Sequence, residues 1–121
     1  MSPRILGLDY DHKNKPLVAS FIRSIKKNYS PEWIKLDISP SGRGYHVRFK
    51  TPKDLTDKEC LWIRRLLGDD PYRISVIYND LNNTWSYRDV LFTAKLIDGK
   101  IYKSIPIDID IFLKTGEEVP L

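Results

Sequence analysis

The apolar positions of this chain change their spacing several times, and each change marks an element. Over residues 5–11 they alternate, so Leu6, Leu8 and Tyr10 fall on one face of a predicted strand and Gly7, Asp9 and Asp11 on the other. A polar stretch follows, and then Leu17, Val18, Phe21, Ile22 and Ile25 recur at helical spacing. With Pro16 suited to a first turn and Pro31 unable to continue the helix, the pattern predicts a helix over 15–28. Alternation returns in 33–38 and 45–50. In the latter, Tyr45, Val47 and Phe49 share the face expected to meet the core, and His46, Arg48 and Lys50 share the opposite one. The glycines between these strands, in Ser39-Pro40-Ser41-Gly42-Arg43-Gly44, permit a hairpin.

Thr56 and Glu59 have the spacing of a capping box, and a helix is predicted over 56–67 with Gly68 as its stop. The remainder favours strands, at 73–78, 85–87, 90–97 and 100–107, with Asp98-Gly99 turning between the last two. This order, β-α-β-β-α-β and a terminal hairpin, predicts an α+β fold over residues 1–121 as one domain. Its architecture is an RRM-like, split βαβ antiparallel sheet with two helices packed on one face plus a C-terminal β-hairpin.

Charge narrows the partners. Lys and Arg total 20 against 16 Asp and Glu, a formal charge of +4 that favours polyanions. The cations are grouped as Arg23, Lys26 and Lys27, as Arg43, Arg48 and Lys50, and as Arg64 and Arg65; solvated helix faces account equally well for the first and last groups. Cys60 is the single cysteine, which excludes an internal disulfide and a cysteine-ligated zinc site and suits a reducing cytosol. It is expected to be a small buried hydrophobe. No apolar run is long enough to span a bilayer and residues 1–8 lack a secretory signal, so the expected location is the cytoplasm, that of the host if a virus or plasmid encodes the chain. Trp33, Trp62 and Trp85 are expected to be core or half-buried anchors. Asp69 and Asp70, between Gly68 and Pro71, read as a turn.

Two features carry candidate chemistry. Asp9 and Asp11 lie on one face of a strand, where hard carboxylate oxygens suit Mg²⁺ or Mn²⁺. Such a pair is also what an exposed acidic strand end looks like. The turn around Ser41, Gly42, Arg43 and Gly44 offers backbone N–H groups and a cation to a phosphate, and equally reads as a plain hairpin. Their combination is more specific: strand with Asp-x-Asp, helix, strand, then Ser-Gly-Arg-Gly-Tyr-His opening another strand. Over residues 5–49 it resembles the catalytic core of the archaeo-eukaryotic primase, or primase-polymerase, superfamily.

The resemblance implies a nucleotide- and metal-binding module that transfers a nucleotide to a DNA or RNA strand, releasing pyrophosphate, in replication of a small or mobile genome. Asp9 and Asp11 would hold the cation. Ser41, Gly42, Arg43, Gly44, His46 and Arg48 would meet the nucleoside triphosphate, with other replication proteins as further partners. A third acidic motif ends a later strand in that family; Asp80 is its candidate, and Asp89, Asp108 and Asp110 compete, although Pro106 favours a surface edge strand for the last two. Two other functions stay open. One is a non-catalytic nucleic-acid-binding or regulatory module that keeps the fold. The other is a rolling-circle replication nuclease, for which His12 and His46 lack the required spacing.

Overall fold

The computed structural model describes residues 5–71, 94–97 and 99–121. Strand β1, Ile5–Tyr10, leads into helix α1, Lys15–Tyr29, and then into β2, Trp33–Ile38, and β3, Tyr45–Lys50. Helix α2, Asp57–Leu66, follows, and after the undescribed segment come β4, Ala94–Ile97, β5, Lys100–Lys103, β6, Ile105–Ile107, and helix α3, Ile109–Thr115. Among the described residues the main sheet has the order β1-β3-β2-β6, with every neighbouring pair antiparallel. Strands β1 and β2 therefore run parallel on either side of β3, which is the split βαβ arrangement the pattern predicted. No helix among the described residues is long and apolar enough to cross a membrane.

Alternation sets the layers. Leu6, Leu8 and Tyr10 of β1, Leu36 of β2 and Tyr45, Val47 and Phe49 of β3 are all buried, and Val18, Ile22 and Ile25 of α1 pack into the same cluster with Cys60, Ile63 and Leu67 of the α2 region. Complete burial of one such side chain contributes about 2 kcal/mol. Helix α1 starts where Asn14 Oδ1 accepts the Leu17 N–H at 3.2 Å. Helix α2 starts with the predicted capping box, Thr56 Oγ1 accepting from Glu59 N and Glu59 Oε1 from Thr56 N, both at 3.1 Å. Cys60 is fully buried, and that burial pushes its thiol up to about 11, so it is an inert packing group.

The C-terminal part departs from expectation. The single strand predicted over 100–107 breaks at Ser104, so that β5 pairs with β4 while β6 pairs with β2. Asp108 and Asp110 do not lie on an edge strand. Asp108 caps α3, its Oδ1 accepting the Ile111 N–H at 3.0 Å, and Asp110 is an exposed partner of Lys26 at 3.7 Å. A third helix thus joins the expected two, and Phe112 carries it into the core, edge-on to Tyr45. Trp33 is half-buried, but Trp62 is 62% exposed and lies beside Arg65 instead of in the core. The predicted strands at 73–78 and 85–87, the first part of 90–97, and Trp85, Asp80 and Asp89 lie outside the described residues.

Two polar assemblies close the fold. Arg64, fully buried, occupies the inward stripe of α2 with Cys60, Ile63 and Leu67. Its Nη1 lies 3.4 Å from Asp69 Oδ2 and donates to the Gly7 carbonyl. Asp69 Oδ1 accepts from Asp9 N at 2.7 Å and from Asp70 N at 2.9 Å, Asp70 N also donates to the Asp9 carbonyl, and Tyr10 Oη donates to the Leu67 carbonyl at 2.7 Å. The second assembly centres on Glu118, which accepts from Lys13 Nζ at 3.0 Å and from Tyr45 Oη at 2.9 Å. Loss of solvent opposes ionisation of Glu118, but Lys13, Tyr45 and Lys15 outweigh it and hold the carboxyl below its usual range.

Replacing Asp69 by Asn keeps the acceptor for Asp9 N but removes the carboxylate charge beside the buried Arg64 guanidinium, which is expected to cost about 3 kcal/mol in urea denaturation. Adding Arg64→Met should recover more than half of that loss; a single variant within about 0.5 kcal/mol of the parent would contradict the assignment. Because the Glu118 carboxyl is depressed in the folded state, its stabilisation is present above the unfolded value and fades as pH falls through the folded one. The stability gap between the parent and Glu118→Gln, about 1 kcal/mol at neutral pH, should therefore narrow as the solution is acidified through and below the usual carboxylate range.

Candidate functional site

Register brings the predicted site residues of two strands together. Asp9 is the cross-strand partner of His46, and His46 is in turn the partner of Asp37 in β2, so the three form one row across the face opposite the core. The Asp9 N–H and C=O both bond outward, to Asp69 and Asp70, and so cannot bond β3. Asp9 and His46 are thus a non-hydrogen-bonded pair, the kind whose side chains approach more closely. Their contact is Nε2 to Oδ1 at 3.5 Å. His46 is only 6% exposed, and its buried Nδ1 has no hydrogen-bond partner among the described residues. A buried nitrogen in that state calls for a ligand or a water.

The next row carries Gly7, Arg48 and Lys35. Arg48 is partly exposed and reaches back to Asp37, Nη1 to Oδ2 at 3.7 Å. Asp37 was missed by the sequence reading, although the alternation of 33–38 already placed it opposite Leu36 and on the face of His46. Arg64 and Asp69 were missed as well; the spacing of Cys60, Ile63, Arg64 and Leu67 was the signal that Arg64 points inward. The solvated-face reading holds for Arg65 alone of that pair. Asp11 lies beyond the end of β1 and is exposed, and His12 Nδ1 accepts the Asn14 N–H at 3.1 Å.

The glycine-rich turn is organised by its serines. Gly42 N donates to the Ser39 carbonyl at 2.8 Å, Arg43 N to Ser41 Oγ at 3.3 Å and Gly44 N to Ser39 Oγ at 3.2 Å. These N–H groups are committed to the turn, so a cradle of backbone donors for phosphate is not what the sequence built. What remains for an anion is chiefly the exposed Arg43 side chain, since the Ser41 hydroxyl also bonds Ser39 Oγ at 3.2 Å. The two glycines have separate reasons: Gly42 holds a φ of +73°, whereas a Cβ on Gly44 would stand 1.9 Å from the Tyr10 carbonyl oxygen. That close approach seats the turn against the end of β1, next to Asp11.

Among the described residues no group of three His, Cys, Asp or Glu side chains converges closely enough to hold a metal ion. Asp9 and Asp37 are the carboxylates of one row and Asp11 lies past the end of β1, hard oxygen donors that do not form an all-protein cage among the described residues. No family model, curated protein or solved structure matches this chain.

Gly44→Ala is expected to destabilise the protein by about 3 kcal/mol, because backbone must move, while Gly42→Ala should cost about 1 kcal/mol from its left-handed conformation. Equal losses in thermal or chemical denaturation would contradict the assigned approach of the turn to Tyr10.

Proposed function

We propose that this chain is a primase-polymerase-like domain that binds a nucleoside triphosphate with Mg²⁺ or Mn²⁺ and transfers a nucleotide to a nucleic-acid strand. The observation that carries the reading is the Asp9–His46 pair, set by register on the outer face, with a buried imidazole nitrogen unpartnered among the described residues and the Ser41–Gly44 turn at the adjacent strand ends. The resemblance of these motifs to that superfamily supports it. Asp9 and Asp11 would hold the cation. When bound, the cation would offset phosphate charge and favour in-line displacement.

The other side chains have definable tasks. Arg43 supplies a mobile cation for the outer phosphates, and Ser41 a hydroxyl beside it. Arg48, steadied by Asp37, adds positive potential one row away. His46, its Nε2 beside Asp9 Oδ1, would help to position the carboxylate at the triphosphate. The domain would act in the cytoplasm, in replication of a small or mobile genome, with other replication proteins as partners.

A second reading is a non-catalytic nucleic-acid-binding module that keeps the fold, for which the formal charge of +4 suits a polyanion. Both readings can be tested on the same protein, since the backbone of Asp9 makes the Asp69 contact and Asp9→Asn leaves that contact in place. Asp9→Asn and Asp11→Asn should each reduce Mn²⁺-dependent incorporation of labelled nucleotide on a primed template by about 100-fold or more. If the parent neither binds nor incorporates nucleotides, the enzyme reading fails. Metal-independent strand binding that ignores both substitutions identifies the passive module.

A further inference from the structure

The row Tyr10, Tyr45, Ile38 and Ile105 marks one end of the main sheet, since these residues are successive partners in β1, β3, β2 and β6. Everything just past that row leaves the sheet on the same side. Asp11 follows Tyr10, the turn 39–44 joins Ile38 to Tyr45, and β5 precedes Ile105 with only Ser104 between them. The β4–β5 ribbon is therefore attached at the end of the sheet that bears Asp11 and the glycine-rich turn. Its register is fixed, Ala94 opposite Lys103 and Ile97 opposite Lys100, and Gly99 turns with a φ of +77°.

This ribbon does not serve the core. Every residue of β5 is exposed, including Ile101 at 71% and Tyr102 at 43%, and neighbours in a strand point to opposite faces. Large apolar groups exposed on both faces of a ribbon invite pairing with other chains unless a partner covers them. The charge identifies that partner. Between Ala94 and Lys103 the sequence has Lys95, Lys100 and Lys103 against Asp98 alone, and Arg43 is exposed at the same sheet end. Among the described residues neither Lys100 nor Lys103 has a carboxylate partner. In β5 two lysines flank the isoleucine and the tyrosine, so one face carries Lys100 with Tyr102 and the other Ile101 with Lys103. A cation beside an apolar group on each face suits a polyanion that also presents flat apolar surfaces, and a two-stranded ribbon is narrow enough to track a strand or enter a groove.

We propose that the β4–β5 ribbon is the nucleic-acid-holding arm of this protein, with Lys100, Lys103 and Arg43 meeting phosphates and Tyr102 stacking on a base. The inference deepens the nucleotide-site reading and rests on it for the role of the bound strand as template or primer. Strand binding itself does not depend on that reading.

The test is a fluorescence-anisotropy titration of the full chain with a labelled 20-nucleotide single-stranded DNA across a salt series, repeated with the RNA of the same sequence. The double variant Lys100→Glu, Lys103→Glu should weaken binding at least tenfold and reduce the slope of log K against log salt by about 1.4, two phosphates' worth for a single strand. Tyr102→Ala should weaken binding with little change in slope. These positions are exposed, and an unchanged unfolding midpoint will show that the fold is retained. Binding of Mn²⁺ with nucleoside triphosphate should match the parent in both variants. A parent that binds strands through the ribbon but binds no nucleotide leaves the arm standing and removes the nucleotide site. Strand binding unchanged in the lysine variant overturns the arm. So does a parent dimer that Ile101→Ser and Tyr102→Ser convert to monomer without loss of strand affinity, since the ribbon's occupant is then a second copy of the chain.

Discussion

A buried arginine is the constraint from which the site takes its shape. Placing the Arg64 guanidinium among Cys60, Ile63 and Leu67 is costly unless the charge is matched and its donors find acceptors; Asp69 supplies the opposite charge and the Gly7 carbonyl an acceptor for Nη1. To reach Arg64, Asp69 must fold back immediately after the helix. In doing so it turns its other oxygen to the Asp9 N–H. On the side away from β3, β1 is thereby bonded at Gly7 and again at Asp9, two residues apart. A carboxylate mounted on such a strand has little freedom in its backbone, and only its side-chain torsions need to be set on ligand binding.

The same clamp decides how the outer face is arranged. Since Asp9 bonds outward, its side chain meets His46 across a close pair, and the strand alternation then brings Asp37 to the far side of the imidazole. The histidine thus stands between two acidic positions, and Arg48 on the next row reaches back to Asp37. The hairpin turn contributes in a complementary manner. Because its serines use up its N–H groups, recognition of an anion there is left to side chains, and a long, exposed Arg43 can follow phosphates that a fixed backbone cradle would have to meet in one pose.

Much of this was legible in the sequence. The strand phases of Leu6-Leu8-Tyr10 and Tyr45-Val47-Phe49, the Thr56–Glu59 box and the turn at Gly42–Gly44 all follow from local rules, and local rules govern them in the folded chain. The pairing of Asp9 with His46 needed register, which alternation suggests but only the sheet fixes. What the sequence reading lost were features in which tertiary context overrides local preference. Arg64 reads as a surface cation because burial of an arginine depends on a partner supplied beyond the helix. Asp108 sits in a strand-like run, yet its side chain caps α3, and Pro106 marks the edge position opposite Asp37 and not the end of the fold. The third acid has no counterpart among the described residues that the pattern alone could select.

The Glu118 clasp has a kinetic side. It joins Lys13 and Glu118 across 105 positions of chain, and the neighbouring bridge from Ile107 to Pro120 lays the same segment along β6. Closing so large a loop is entropically costly until β1, β3 and β2 have assembled the surface on which the segment docks. A contact completed after the main barrier has been crossed does not hasten assembly. It resists the reverse step, so the clasp acts on the lifetime of the finished fold.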